Sequence, residues 1–233
     1  MKKLLLVGLG LAITMCAPAP ITPPAGAKNG DPFIKEWNTY HSMGCMMLGE
    51  CKDGVTPILS SIDLGEQYRP WKDELDKIFS SMNQIGIEAY IADAKYFVSA
   101  TRGVYDVRQN SFFLNEKYLS DPAQLVSVIR HEGWHAVQDC MAGTINNTLT
   151  AVVWHDGKVP DWIVRGAEIT YELSPKAIPY EAEAMYAAHS NFETADALGV
   201  CADPLVSMWD KYPPTPLTKE WLDKNGYIKN KSR

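Results

Sequence analysis

Residues 131–135 of this 233-residue chain read His-Glu-Gly-Trp-His, two imidazoles four positions apart with a carboxylate beside the first. Four residues advance an α-helix by slightly more than one turn, so His131 and His135 stack on one helical face and can share a metal ion. Glu132 then lies next to the metal without being a ligand. In zinc hydrolases built this way, such a carboxylate takes a proton from water that the metal has acidified and later returns one to the leaving group. The pentapeptide therefore offers two ligands and a base, with zinc the predicted cofactor. A catalytic zinc also needs a third protein ligand and an open position for water.

The neighbouring sequence can supply the platform. Asp121 can cap a helix, Pro122 suits its first position, and Gln124 stands where a capping box places an amide or carboxylate. Leu125, Val126, Val128, Ile129, Ala136, Val137, Cys140 and Met141 then form a broad apolar stripe, and Gly143 marks an end. The two histidines fall in mid-helix, where metal geometry can be held rigidly. Just upstream, 104–107 and 111–114 flank the turn-like Arg108-Gln109-Asn110, predicting a hairpin whose second strand leads into the helix.

The stretch His131 to Gly143, HEGWHAVQDCMAG, is similar to the active-site helix of thermolysin-like enzymes. On this segment the chain resembles a gluzincin-type zinc metallopeptidase of the zincin superfamily. That resemblance implies an α+β, zincin-like fold, mostly helical with a small sheet over the HExxH helix and an edge strand along the substrate cleft. It also implies a metallopeptidase acting on a peptide or protein substrate, with Glu132 as general base.

The third ligand divides the subfamilies. Pro179 to Ala188 resembles the Glu-x-x-Ala pattern on the second zinc helix of compact gluzincins, and the matching position is Glu181. Ala182, Ala184, Ala187 and Ala188 would let that helix approach closely. Glu183 points about 200° away on an ideal helix, so it and Glu181 cannot both be direct ligands. His155 stands where thermolysin-like enzymes carry their ligand Glu, and Glu168 and Glu172 are weaker alternatives. Two departures matter. Trp162-Ile163-Val164-Arg165-Gly166 resembles another branch's Trp-x-x-Glu-Gly but has Arg165 at the ligand place. Met185 replaces the family's His-orienting Asp, leaving Asp139 as a candidate for that role. For charge developing on a substrate carbonyl, Tyr180, Tyr186 and above all His189 are the candidates near the ligand helix.

Met1-Lys2-Lys3, the apolar run 4–15 and the small-x-small Ala25-Gly26-Ala27 predict a signal peptide over 1–27 and a secreted or periplasmic protein. Cys16 opens a second reading as a lipid anchor, although Met15 stands where a small residue is expected. Residues 28–233 are then one domain with room for a substantial core. Losing Lys2 and Lys3 moves the net charge from −6 to −8, which leaves no electrostatic footprint for nucleic acid or anionic membrane. Of five cysteines, Cys45, Cys51, Cys140 and Cys201 remain, and three pairings are possible. Cys45 with Cys51 and Cys140 with Cys201 is preferred, the second bridge tying the motif helix to the end of the helix that carries Glu181.

Elsewhere, Tyr68, Trp71, Leu75, Ile78, Phe79 and Met82 recur at helical spacing within 64–83, while 87–100 permits either a strand or a helix. Trp162 to Tyr171 predicts a further helix. The leading functional expectation is an exported zinc hydrolase. The alternative is a catalytically silent zincin, an exported binding or scaffold protein held together by zinc and disulfides. Solvent access to the metal separates the two.

Overall fold

The computed structural model describes residues 32–98, 100–143, 145–146, 148–154 and 157–213, with side chains described from residue 40 onward. The leader read over 1–27, including Cys16, lies outside the described residues, as does His155. None of the described helices is long and apolar enough to cross a membrane.

The chain is α+β, with seven α-helices and one four-stranded mixed sheet among the described residues. Helix α1 (Pro32–Met47) is followed by strand β1 (Val55–Pro57), helix α2 (Lys72–Gln84) and strand β2 (Glu88–Ala92). Strands β3 (Gly103–Asp106) and β4 (Ser111–Asn115) then form the expected antiparallel hairpin. Sheet order is β1-β2-β4-β3, with β2 parallel to β4, so β3 is an edge strand and β4 is interior. The helix after the hairpin is α3 (Pro122–Met141), and α4 (Asp161–Thr170), α5 (Ile178–Ala188), α6 (Glu193–Ala202) and α7 (Met208–Lys211) complete the order.

Strand alternation places the sheet between two layers. Phe112 and Leu114 of β4 point to the main core with Leu75, Phe79, Leu125 and Ile129 of α2 and α3, whereas Phe113 points the other way, onto Met43 and Met46 of α1. The motif helix starts as its sequence requires: the Asp121 side chain accepts the Gln124 backbone N–H, with Pro122 in the first turn. The Gln124 side chain does not complete a capping box but accepts from Arg102 at 2.8 Å.

Two local expectations change. The helical pattern over 64–83 is split into 3-10 turns at Ser61–Leu64 and Glu66–Trp71 before α2, because Gly65 adopts φ 109° and Pro70 interrupts the regular ladder. The segment carrying Glu181 and Cys201 is likewise two helices, α5 and α6, broken around Phe192, whose φ is 62°. Both disulfides form as paired in the sequence reading, Cys45–Cys51 and Cys140–Cys201. The second ties α3 to α6 rather than to the helix carrying Glu181.

Candidate metal centre

Glycine 133, inside the motif, shows how tightly this platform is packed. A Cβ there would stand 2.8 Å from Thr194 Cγ2, so its absence lets α6 lie directly against α3. The next residue, Trp134, is fully buried and stacks on Trp154 with ring centroids 4.1 Å apart. On the other flank α5 approaches through Ala184 and Ala187, both in the main core, while Ala182 packs with Ala167 and Tyr171 on its α4 side.

This packing brings Glu181, in the first turn of α5, to the histidine pair. A helix N-terminus favours a carboxylate there. Glu181 Oε2 lies 3.3 Å from His131 Nε2 and 3.7 Å from His135 Nε2, and one ligand atom from each residue falls within 4.8 Å of the other two. The three side chains are 0%, 4% and 1% exposed for His131, His135 and Glu181. Close as they are, these atoms are not aligned as hydrogen bonds: among the described residues both Nε2 atoms and Glu181 Oε2 are buried without a hydrogen-bond partner. Such a group of donors can hold a metal ion.

The same closeness shapes the electrostatics. Burial alone would raise the Glu181 carboxyl, but the adjacent His135 and His131 rings outweigh it and hold it down at about 2. Burial opposes charge on His135, yet Glu181, with Glu132 and Gln138 adding to it, lifts the ring to about 9. Glu132 is completely buried; burial pushes its carboxyl above the usual range, the two histidines oppose the rise and Glu181 adds to it. Its Oε2 accepts the Tyr105 backbone N–H of edge strand β3 at 3.1 Å, and Oε1 has no partner. Glycine 103 permits that approach, since a Cβ would stand 2.7 Å from Val128 Cγ1 and 3.2 Å from Glu132 Cγ.

The other residues singled out in the sequence are distributed differently. Glu183 is buried but turned to the opposite side of α5, where it accepts from Trp134 Nε1 and Gln138 Nε2. Asp139 is buried too, and it accepts the Tyr105 hydroxyl at 2.6 Å rather than orienting a histidine. His135 Nδ1 instead faces Gln138 Oε1 at 2.8 Å. His189 is exposed at the C-terminal cap of α5, about 12 Å along the helix axis from Glu181, and does not join the group. Tyr186 packs edge-on against Trp154, and Glu168, Glu172 and Arg165 are exposed.

Sequence reasoning missed Tyr171, just past α4. It is buried, and burial, with the nearby charges of Glu181 and Glu132, pushes its phenol far above the ordinary value. No local signal marks it: the Tyr171–Glu181 meeting depends on how α4 packs against α5.

Comparison of the chain with known protein families, with characterised proteins and with solved structures found no match.

Proposed function

We propose that this protein is an exported zinc-dependent hydrolase and, within that class, a metallopeptidase, as the resemblance at its HExxH helix implies. One observation carries the reading: His131, His135 and Glu181 converge in the interior with unpartnered ligand atoms, and the Glu132 carboxylate lies alongside. Ligand atoms about 2.0–2.1 Å from a tetrahedral zinc stand about 3.3 Å apart, close to the 3.3 and 3.7 Å separations from Glu181 to the two rings. Charge supports it as well. Glu132, Asp139, Glu181 and Glu183 are all buried, and among the described residues neither lysine nor arginine pairs with them. The two disulfides suit an oxidising compartment.

Zinc, when bound, would supply Lewis acidity, which acidifies water and polarises a carbonyl. His131, His135 and Glu181 would hold it. Glu132 is the base: with Oε2 occupied by the Tyr105 amide, Oε1 is left to accept a proton and pass it to the leaving amine. Tyr171, buried near Glu181 with its phenol pushed far above the ordinary value, is the nearest candidate to donate to negative charge developing on a carbonyl oxygen. The test is zinc content of the purified chain together with hydrolysis of a mixed peptide library. We expect zinc to be bound, and Glu132→Gln to keep zinc while losing about 10²- to 10⁴-fold in rate. A chain without zinc affinity, or a Glu132→Gln variant of full activity, would overturn the assignment.

The near-complete burial of the three ligands favours a second reading, a zinc-stabilised binding or scaffold protein without catalysis. Cobalt-substituted protein separates the two. A visible spectrum that shifts on adding a small hydroxamate marks an open coordination position and favours the enzyme; an unresponsive spectrum favours the silent form.

A further inference from the structure

Glu183 occupies an unusual place for a carboxylate. Its Oε1 accepts the backbone N–H groups of Val153 and Trp154 at 3.0 and 2.6 Å, and its Oε2 accepts Gln138 Nε2 at 2.9 Å, Trp134 Nε1 at 3.3 Å and Val153 N at 3.1 Å. Both oxygens therefore face donors only. This is an acceptor for four N–H groups drawn from α3 and from the segment ahead of α4, and the rings of Trp134 and Trp154, two of the residues that supply them, stack on each other.

Gln138 connects this carboxylate to the metal group. Its Nε2 donates to Glu183 and also to the Tyr180 carbonyl oxygen, 3.0 Å away. A carbonyl and a carboxylate both require donors, so the amide can point only one way, with Oε1 toward His135 Nδ1. An acceptor there requires a proton on His135 Nδ1, so Nε2, the atom nearest Glu181, is the nitrogen left to bind a metal. Among the described residues His131 has no such support, since its Nδ1 has no hydrogen-bond partner there.

Resting on the metal-centre reading above, we propose that Glu183 is a positioning residue of that centre. Through Gln138 it fixes the ring and tautomer of His135, and through two backbone amides it ties Val153 and Trp154 to the same point. Metal capture at His135 and the docking of that segment are thereby linked, and linkage is reciprocal.

The experiment uses the disulfide-bonded chain and zinc or cobalt as the probe. Gln138→Met removes the link while leaving Glu183 its other three donors. Zinc affinity, measured by competition with a chelator, should fall about 10- to 100-fold, and the visible spectrum of the cobalt form should change. Glu183→Gln should act in the same direction, because its amide must turn one N–H group toward donors. The double variant should lose no more than the larger single loss, as expected of two members of one path. In the parent chain, zinc should slow hydrogen exchange at the Val153 and Trp154 amides, and Gln138→Met should abolish that protection. Should Glu183→Gln fail to fold, Gln138→Met carries the test by itself. Wild-type zinc affinity with an unchanged cobalt spectrum in Gln138→Met would overturn this proposal alone. A parent chain that binds no zinc would overturn the metal-centre reading along with it.

Discussion

Arg130 and His131 are consecutive on α3 and both buried, yet their surroundings are built on opposite plans. Arg130 meets both oxygens of Glu74 at 2.8 and 2.7 Å, and Glu74 also accepts the Phe192 backbone N–H. The Thr194 hydroxyl takes the Arg130 carbonyl, so the pair fastens α3 to α2 and to the start of α6. One residue on, His131 Nδ1 and Nε2, His135 Nε2, Glu132 Oε1 and Glu181 Oε2 all lie buried with no partner among the described residues. Leaving a buried polar atom unsatisfied costs about 1–3 kcal/mol. The contrast separates a structural ion pair, complete within the protein, from a cluster with unpartnered atoms, three of which, from His131, His135 and Glu181, could hold a metal ion.

The largest effect should come from breaking the complete region. Glu74→Ala strands a buried guanidinium and should lower stability by about 3–5 kcal/mol in denaturant unfolding. The loss should be the same with and without zinc. Rescue by the metal would show that the two regions are not independent.

Zinc itself sharpens the other side. At a free concentration a thousandfold above its dissociation constant it should stabilise the parent chain by about 4 kcal/mol. Thermal unfolding of His135→Ala and Glu181→Ala should show almost none of this gain, and an equal gain in either variant would refute the convergence of these ligands.

Two glycines compare the framework with the site at smaller magnitude. Gly133→Ala presses on Thr194 and Gly103→Ala on Val128 and Glu132, so each should cost about 1–3 kcal/mol. Only Gly103→Ala moves the strand that holds Glu132, so it should depress any hydrolytic rate more than Gly133→Ala at matched stability. Equal rates would show that β3 does not position the base.

Asp139 is an intermediate case, with one oxygen on the Tyr105 hydroxyl and the other unpartnered. Burial raises its carboxyl to about 7, against the opposing pull of that hydroxyl. A folded value above the unfolded one means that the native state holds the proton longer. Its contribution is therefore greatest below the unfolded value near 3.9 and is lost as pH rises through about 7, at no more than about 1.4 kcal/mol per pH unit. Asp139→Asn should flatten that slope between pH 4 and 7, and an unaltered slope would assign it to other groups.

What could be read in the sequence was local. The four-residue spacing of His131 and His135, the Asp121-Pro122 start and the hairpin of 104–107 with 111–114 are each set by short-range pattern, and each appears in the structure. Glu181 needed more than periodicity; the alanines around it and the resemblance to a second ligand helix supplied that. Gln138 was within reach, because a residue three past His135 shares its helical face. Glu183 was visible only as a competing ligand, since its four donors come from segments about 30 to 49 residues away. The break between α5 and α6 escaped for another reason: it turns on a left-handed Phe192, a residue type that rarely adopts that conformation.

The Cys140–Cys201 bridge has a consequence for how such a centre is assembled. It closes a covalent ring across 61 positions that contains Tyr171, Glu181 and Glu183, with His135 five residues outside its mouth. In an oxidised but unfolded chain the third ligand therefore cannot stray far from the imidazoles, because closing the ring has already removed much of the search. On the proposed reading of the centre, oxidation ahead of metal uptake leaves the smaller ensemble to search, and a chain still reduced would have to find the same coordination from a far larger one.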